Sequence, residues 1–332
     1  MSKELAQLLF PNVDKTIEYY EDLYPERNLD KKAKVTRLGP SPTGFIHLGN
    51  LYGALVDERI AHLNDGTMLL RIEDTDDKRK VEGSEELIIR SLKFFGIEFD
   101  EGVSLDGEKG IYGPYRQSDR KEIYQTAAKY LTEKGFTYPS FVSEEEMAII
   151  REEQEKAGVN TGYYGKWATD RNLSLEEIRA NLDAGKPWTL RLKSGGDPEV
   201  AMKFKDGIRG EINVRQNNLD VVILKQNGIP TYHFAHVVDD HFMRVTDVVR
   251  GEEWLSTLPI HLELFFLMGW TRPNYNHTAH LMKVEDGKKR KLSKRKDPEL
   301  SLEYYMKDGY FPEAVTEYLM TLMNSNYEEL RM

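Results

Sequence analysis

The sequence predicts an α/β fold in which a parallel-sheet domain is split by an inserted second unit. Three observations carry this. Residues 35–72 read as strand, helix, strand with short connections, which is a βαβ unit and therefore a parallel strand pair. Residues 136–218 turn polar, rich in Glu, Lys and Gly, and lose that rhythm. Apolar strand character returns at 219–224. A length of 332 residues suits this layout, at about 150 residues per domain. The chain is 39% hydrophobic and 31% charged, a globular balance with enough apolar material for a sizeable core.

Residues 1–33 read as an N-terminal extension. Leu5, Leu8 and Leu9 fall at helical spacing until Pro11 breaks it. Asp14 is placed to cap a short helix that runs to Tyr24 and ends at Pro25. Residues 34–135 form the first half of the main domain. Val35-Thr36-Arg37-Leu38 is a short strand, and Gly39-Pro40-Ser41-Pro42-Thr43-Gly44 can only be a structured loop. Leu48, Leu51, Leu55 and Ile60 mark a helix over 47–63, stopped by Asn64-Asp65-Gly66. Residues 67–72 make a buried strand, and 85–95 and 118–134 are amphipathic helices. The insertion spans 136–218, and the main domain resumes over 219–285 with an apolar helical stretch at 254–270. Residues 286–332 hold a basic loop and a last helix over 313–323. There is no repeat of 20–50 residues and no low-complexity tract.

Composition narrows the function classes. The chain has no cysteine, which excludes disulfides, thiolate zinc sites, iron–sulfur clusters and a cysteine nucleophile, and suits a reducing compartment. A net charge of -10 excludes a basic nucleic-acid coat but leaves RNA binding open through uneven charge. Lys288-Lys289-Arg290-Lys291-Leu292-Ser293-Lys294-Arg295-Lys296 is the conspicuous basic run. Mean hydropathy is -0.60, and no apolar run approaches the ~20 residues of a membrane span. The N-terminus lacks a signal-peptide layout, so a soluble cytoplasmic protein without a membrane partner is expected.

Four constellations could carry chemistry. The first is Gly39-Pro40-Ser41-Pro42-Thr43-Gly44-Phe45-Ile46-His47-Leu48-Gly49-Asn50, a strand-to-helix loop at the ligand edge of an α/β sheet. Prolines stiffen it, glycines admit close backbone approach, and His47 can donate to a phosphate. It is neither GxGxxG nor a Walker A sequence. A lone histidine there would more often be a helix cap; eleven ordered residues favour a nucleotide loop. The second is Lys291-Leu292-Ser293-Lys294-Arg295, a solvated loop on the bland reading and a triphosphate clamp on the sharp one. The third is Arg71-Ile72-Glu73-Asp74-Thr75-Asp76-Asp77, where Glu73 can hold an ammonium and the aspartates read as an acidic surface turn or a cap. The fourth is Tyr232-His233-Phe234-Ala235-His236-Val237-Val238-Asp239-Asp240-His241, whose spacing matches no zinc signature and whose histidines read as solvated or core-satisfied. Arg250, after Val248-Val249, is a candidate fork for a carboxylate.

Together these motifs resemble class I aminoacyl-tRNA synthetases of the glutamyl type. Residues 37–49 resemble the family's R-x-A-P-S-P-T-G-x-x-H-x-G signature with its HIGH motif, and 291–295 resemble its KMSKS loop. Arg71 to Asp76, Tyr115-Arg116-Gln117-Ser118, Tyr232 to Asp240, Arg250 to Trp254 and Gly309-Tyr310-Phe311-Pro312-Glu313-Ala314 match further blocks in the right order, so the likeness runs over about 34–325. The resemblance implies a Rossmann-like catalytic domain split by an acceptor-stem-binding insertion, followed by the start of a stem-contact helical region. It implies ATP with Mg²⁺ and L-glutamate as small-molecule partners and tRNA(Glu), with tRNA(Gln) as a second candidate, as the acceptor of a monomeric enzyme. By the same resemblance His47, Lys291 and Lys294 are the catalytic contacts, and His47, Gly49, Asn50, Glu253, Trp254, Lys291 and Lys294 bind ATP. Arg37, Gly39, Ser41, Glu73, Tyr232, His236 and Arg250 bind glutamate, with Arg250 or Arg37 selecting the acid over the amide.

There are departures from the family pattern. Gly39 replaces the usual Ala, a change expected to matter little. Tyr138-Pro139-Ser140-Phe141-Val142 and Trp167 stand where many relatives carry cysteine zinc ligands, so no metal site and no zinc are expected. Glutamyl-type members continue into helical anticodon-binding domains, so a catalytic portion without one, or a short relative that reads no anticodon, is expected. Glutamate activation and transfer to tRNA(Glu) is the leading reading. Glutamyl transfer to a modified tRNA nucleoside by a short paralogue, and a non-catalytic tRNA-binding module, are the alternatives.

Overall fold

A computed structural model of the chain describes residues 2–76 and 79–323. Helices α1 (Ser2–Leu9) and α2 (Ile17–Leu23) come first, and Thr16 rather than Asp14 caps α2 by accepting the Tyr19 N–H (3.3 Å). They are not an appendage. Leu9, Phe10, Val13, Ile17, Tyr20 and Tyr24 join the main core, and Arg27 forks onto Glu101 at 2.8 and 3.0 Å. A short amphipathic helix carries no local mark of which neighbour its apolar face will meet.

β1 (Val35–Leu38), α3 (Leu48–His62) and β2 (Thr67–Leu70) form the expected βαβ unit, in parallel register from Val35↔Thr67 to Leu38↔Leu70. Nearly every residue of the two strands is buried, as a sheet covered on both faces requires. After α4 (Ser84–Phe94), β3 (Glu101–Ser104) extends the sheet in parallel and β4 (Gly107–Lys109) closes its edge antiparallel. A 3₁₀ turn over Gln117–Arg120 then leads into α5 (Lys121–Glu133).

The interrupting region holds β5 (Thr137–Ser140), α6 (Glu144–Lys156), α7 (Leu175–Asp183), β6 (Thr189–Leu192), and the hairpin of β7 (Ala201–Asp206) with β8 (Gly210–Arg215). Both helices start with capping boxes, Ser143 with Glu146 and Ser174 with Glu177. The apolar strand at 219–224 behaves differently from expectation. β9 (Val222–Leu224) pairs antiparallel with β6 in a β5-β6-β9 sheet and does not rejoin the parallel one. A short apolar run is buried on both faces in either sheet type, so its pattern cannot name its partner. Tyr138 donates to Asp220 (2.7 Å), and Ser140 and the Phe141 N–H donate to Asp170 (3.1 and 2.7 Å).

α8 (Tyr232–Phe242) follows, then β10 (Asp247–Gly251), a 3₁₀ turn at Glu252–Thr257, α9 (Leu258–Met268) and β11 (Asn274–Thr278), which pairs parallel with β10. β10 lies beside β1, where the Thr246 N–H donates to Val35 O (2.9 Å). The basic run is partly strand. β12 (Met282–Glu285) and β13 (Lys288–Lys291) form a hairpin about Asp286 and Gly287, both at positive φ (49° and 74°), as a tight two-residue turn demands. α10 (Leu302–Lys307) and α11 (Pro312–Met323) end the described chain. No helix among the described residues is long and apolar enough to cross a membrane.

One continuous core runs from Leu69 and Leu70 through Phe234 and Val248 to Leu190 and Ile223, so the interrupting region is packed onto the main domain. A charged layer lies inside it. Arg71 meets Asp240 (2.6 Å) and Glu73 (3.0 Å), and Arg120 meets Asp239 (2.6 Å), with Gln117 and Tyr124 completing Asp239 at 2.8 Å each.

Asp57 of α3 is fully buried, and neither of its carboxylate oxygens has a hydrogen-bond partner among the described residues. Burial pushes its pKa well above the usual carboxylate range, against the pull of Arg37. Its folded-state pKa therefore exceeds the unfolded one. The stability this gives is whole below about pH 3.9 and is lost as pH rises towards the folded value. Asp57→Asn should stabilise the fold at pH 7 by about 1–3 kcal/mol, with the gap shrinking towards pH 4. Urea titrations of both proteins at the two pH values measure this; an equal gap at both would refute the account.

Candidate nucleotide and amino-acid site

A cavity of about 730 Å³ opens where the chain leaves the C-terminal ends of β1, β2, β10 and β11. Ligands collect at such edges because loops there can diverge while the strands hold their ends in place. Every residue nominated from the sequence lines it except His236.

At one end lies the start of α3. His47 is its N-cap, and its Nδ1 accepts the Asn50 N–H (3.3 Å) while Asn50 Oδ1 accepts the His47 N–H (3.1 Å). An accepting Nδ1 leaves the proton on Nε2 as a donor. Burial lowers the pKa of this imidazole; Lys291 and Lys294 lower it further, and Glu253 opposes them. His47 is therefore a neutral donor near pH 7, beside a helix N-terminus that attracts anions. Gly49 leaves room for the imidazole, since a Cβ would sit 3.0 Å from the His47 ring.

The basic loop closes the same end. Lys294 Nζ lies 4.2 Å from the Phe45 ring centroid, and Lys291 Nζ lies 3.4 Å from His280 Nε2. The loop is not loose: Asp297 takes both Arg290 Nη atoms (2.7 Å each) and the Ser293 N–H (2.8 Å). The Leu302 N–H donates to Ile46 O (3.2 Å), so the start of α10, just after the basic loop, is tied to the 39–50 loop. Glu253 and Trp254 flank this end, with Trp254 packed on Tyr232 at a centroid distance of 4.3 Å.

The other end holds opposed charges. Glu73 follows β2, and its carboxylate is held by Arg71. Burial raises the Glu73 pKa, with Arg71 and Arg37 opposing. A Cβ on Gly39 would meet the Glu73 carboxylate, the far end of a flexible side chain, so an alanine there would shift that carboxylate. Arg37 shares Asp240 with Arg71. Arg250 is built differently. Its Nε donates to His277 Nε2 (3.0 Å), its Nη1 lies 2.9 Å from His261 Nδ1, and its plane rests on Tyr275 at 4.6 Å. Burial lowers the pKa of both histidines, and pushes that of the adjacent His233 down to about 4. Arg250 is thus oriented by neutral rings, and its charge is left for a ligand.

His236 stands corrected. It is fully buried beneath Tyr232, with Nδ1 3.0 Å from Asp240 Oδ2 and Nε2 3.0 Å from Tyr275 Oη. It lies one helical turn after Tyr232 on α8, and that places it under the cavity floor, 3.4 Å from Arg37 Nη2. Asp74 is not a surface turn either. It is buried and accepts the Ser118 N–H (2.8 Å), its hydroxyl (2.7 Å) and Lys80 (2.9 Å). Asp77 lies outside the described residues. Sequence reasoning passed over His261, His277 and Asp206, single polar residues without a motif, and over His280, which lines the cavity; Gln117 and Phe45, quoted within motifs but given no role, line it as well.

A family model described as tRNA synthetases class I (E and Q), catalytic domain, matches residues 34–331. The chain belongs to this family. The chain is 64% identical over 331 residues to the glutamate–tRNA ligase of Acetivibrio thermocellus, covering 99% of this chain and 61% of that protein. It is 50% identical to the glutamate–tRNA ligase of Clostridium beijerinckii, covering 99% and 60%. Its fold is similar to the crystal structure of a glutamate tRNA ligase from Elizabethkingia meningosepticum in complex with its amino acid, with a TM-score of 0.77 at 36% identity, over 87% of this chain and 60% of that one. The chain therefore spans about 60% of the length of these relatives. The mixed α/β, Rossmann-like class predicted from sequence is the class observed.

Proposed function

We propose that the chain activates L-glutamate with ATP and transfers it to the 3′ end of tRNA(Glu), in the cytoplasm. One observation carries the reading. A single cavity joins an anion-binding end, made by His47, Lys291 and Lys294, to an end lined by both Glu73 and Arg250, and Arg250 pairs with histidines and with no carboxylate among the described residues. This arrangement suits a nucleoside triphosphate beside a zwitterionic acid with a second carboxylate. The relatives' names supply glutamate as that acid.

In the first step a glutamate carboxylate oxygen attacks the α-phosphorus of ATP and pyrophosphate leaves, giving glutamyl-adenylate. In the second, a terminal ribose hydroxyl of tRNA attacks the acyl carbon and AMP leaves. No side chain forms a bond. His47 donates from Nε2 to a phosphate oxygen, and Lys291 and Lys294 stabilise charge on the departing pyrophosphate. Glu73 holds the ammonium, and Arg250 pairs with a substrate carboxylate in preference to an amide. Mg²⁺ would accompany ATP through phosphate and water oxygens, because no carboxylate cluster among the described residues is built to take it. Residues 136–218 would meet the acceptor end of tRNA, and whether tRNA(Gln) also serves is tested with the same assay.

The test is glutamate-dependent ATP–pyrophosphate exchange with and without tRNA(Glu). Exchange that requires tRNA is the expected result. Exchange without tRNA would transfer the reading to glutamylation of a modified nucleoside. No exchange, with tRNA still bound, would leave a binding module.

A further inference from the structure

Arg250 does not hold itself in place. An arginine Nε can only donate, so His277 Nε2 must accept and its proton must sit on Nδ1. That Nδ1 lies 2.6 Å from Asp206 Oδ2, and both side chains are fully buried. Asp206 does not come from the parallel sheet. It ends β7, at the tip of the hairpin in the interrupting region. Its other oxygen accepts the N–H groups of Ile208 (3.0 Å), Arg209 (2.9 Å) and His277 (3.3 Å).

The tip is seated on β11 by its backbone. The Gly207 N–H donates to Tyr275 O (2.8 Å), and a Cβ on Gly207 would overlap Asn276. The next residue but one, Arg209, pairs with Glu252, two positions after Arg250, and Glu252 also accepts the His280 N–H (3.0 Å). The hairpin therefore grips the Arg250 segment at two points, through His277 and through Glu252.

We propose that Asp206 and His277 are positioning residues which aim the Arg250 guanidinium at the substrate carboxylate, so that the hairpin of the interrupting region sets the affinity for the amino acid. The inference rests on the glutamate-activating reading of this cavity. An imidazole is the suitable intermediary. It accepts from the guanidinium and fixes its plane without cancelling its charge, as a carboxylate in the same place would. Asp206 selects the imidazole tautomer from behind, where its own charge is taken up by three N–H groups. A shift of the hairpin moves the arginine with it.

Two measurements on the full chain test this. The first needs no activity. In ¹⁵N-imidazole NMR of the ligand-free protein at pH 7, His277 should show a protonated Nδ1 and a bare Nε2, and Asp206→Ala should weaken that preference; a proton on Nε2 in the parent would overturn the relay. The second is exchange kinetics with tRNA(Glu). His277→Leu should raise KM for glutamate by about tenfold or more with KM for ATP within about twofold, and His277→Gln, which keeps an acceptor for Arg250, should recover most of the loss. Asp206→Ala should raise the glutamate KM in the same selective way from outside the cavity. An unchanged glutamate KM, or an equal rise in both KM values with a lower melting temperature, would overturn the proposal. A parent chain with no exchange would instead remove the proposed function, and the NMR result would still decide the relay.

Discussion

Lys294→Ala should slow glutamate activation by about two to three orders of magnitude while leaving the unfolding free energy within about 0.5 kcal/mol of the parent. The two halves of this expectation have separate causes. Lys294 is exposed, and its ammonium rests on the face of Phe45 at the cavity mouth, so the fold loses little when it goes. The leaving pyrophosphate gains charge at that mouth, and a preorganised cation there acts on the transition state more than on the ground state. The loss should therefore fall mainly on kcat. Asp297 staples the loop through Arg290 and Ser293, so the alanine variant keeps the loop's path. Single-turnover adenylate formation together with a thermal melt separates the two effects. Near-normal activation would remove this loop from the chemistry.

Glu73→Gln should raise KM for glutamate by about a hundredfold, with ATP binding intact. The substitution keeps an oxygen for Arg71 and the shape against Gly39, and removes only the charge that would hold an ammonium. The pH dependence carries the same signature. Burial raises the Glu73 pKa above its usual value, and glutamate binding needs the ionised form. The parent should bind glutamate better as pH rises through that pKa, and the glutamine variant should lose this acidic limb. Stability moves the opposite way. A folded-state pKa above the unfolded one means that stability is present below about pH 4.3 and lost as pH rises through the folded value. The variant should therefore be at least as stable as the parent at pH 7, the usual cost of keeping a charge ready in a dry site. A variant less stable at pH 7, with an unchanged KM, would make Glu73 a structural partner of Arg71.

Much of the site is legible in the sequence because its parts are local. The 39–50 loop, the capping role of His47 and the room that Gly49 leaves for its ring all depend on residues within a few positions of each other. Glu73 stands after β2 and Arg250 near the C-terminal end of β10, strands whose apolar runs are clear, so their placement at a sheet edge follows from strand polarity. The basic loop is visible as charge density. His236 misled because a histidine one helical turn from Tyr232 looks like its neighbour on the cavity wall. Whether such a residue reaches ligand or floor depends on how α8 sits against Tyr275 and Asp240, which are remote contacts.

By itself the sequence carried the family's motifs, the parallel βαβ core and the motif residues that line the cavity, because strand and helix periods, turn chemistry and motif spacing are short-range properties. Only the tertiary structure decided that apolar residues between Leu9 and Tyr24 join the core, that β9 joins an antiparallel sheet, and that Asp206 and His277 stand behind Arg250. Those outcomes turn on contacts between segments tens to hundreds of residues apart. A lone aspartate, a lone histidine or a three-residue apolar strand reads the same for any partner until packing brings one partner to it.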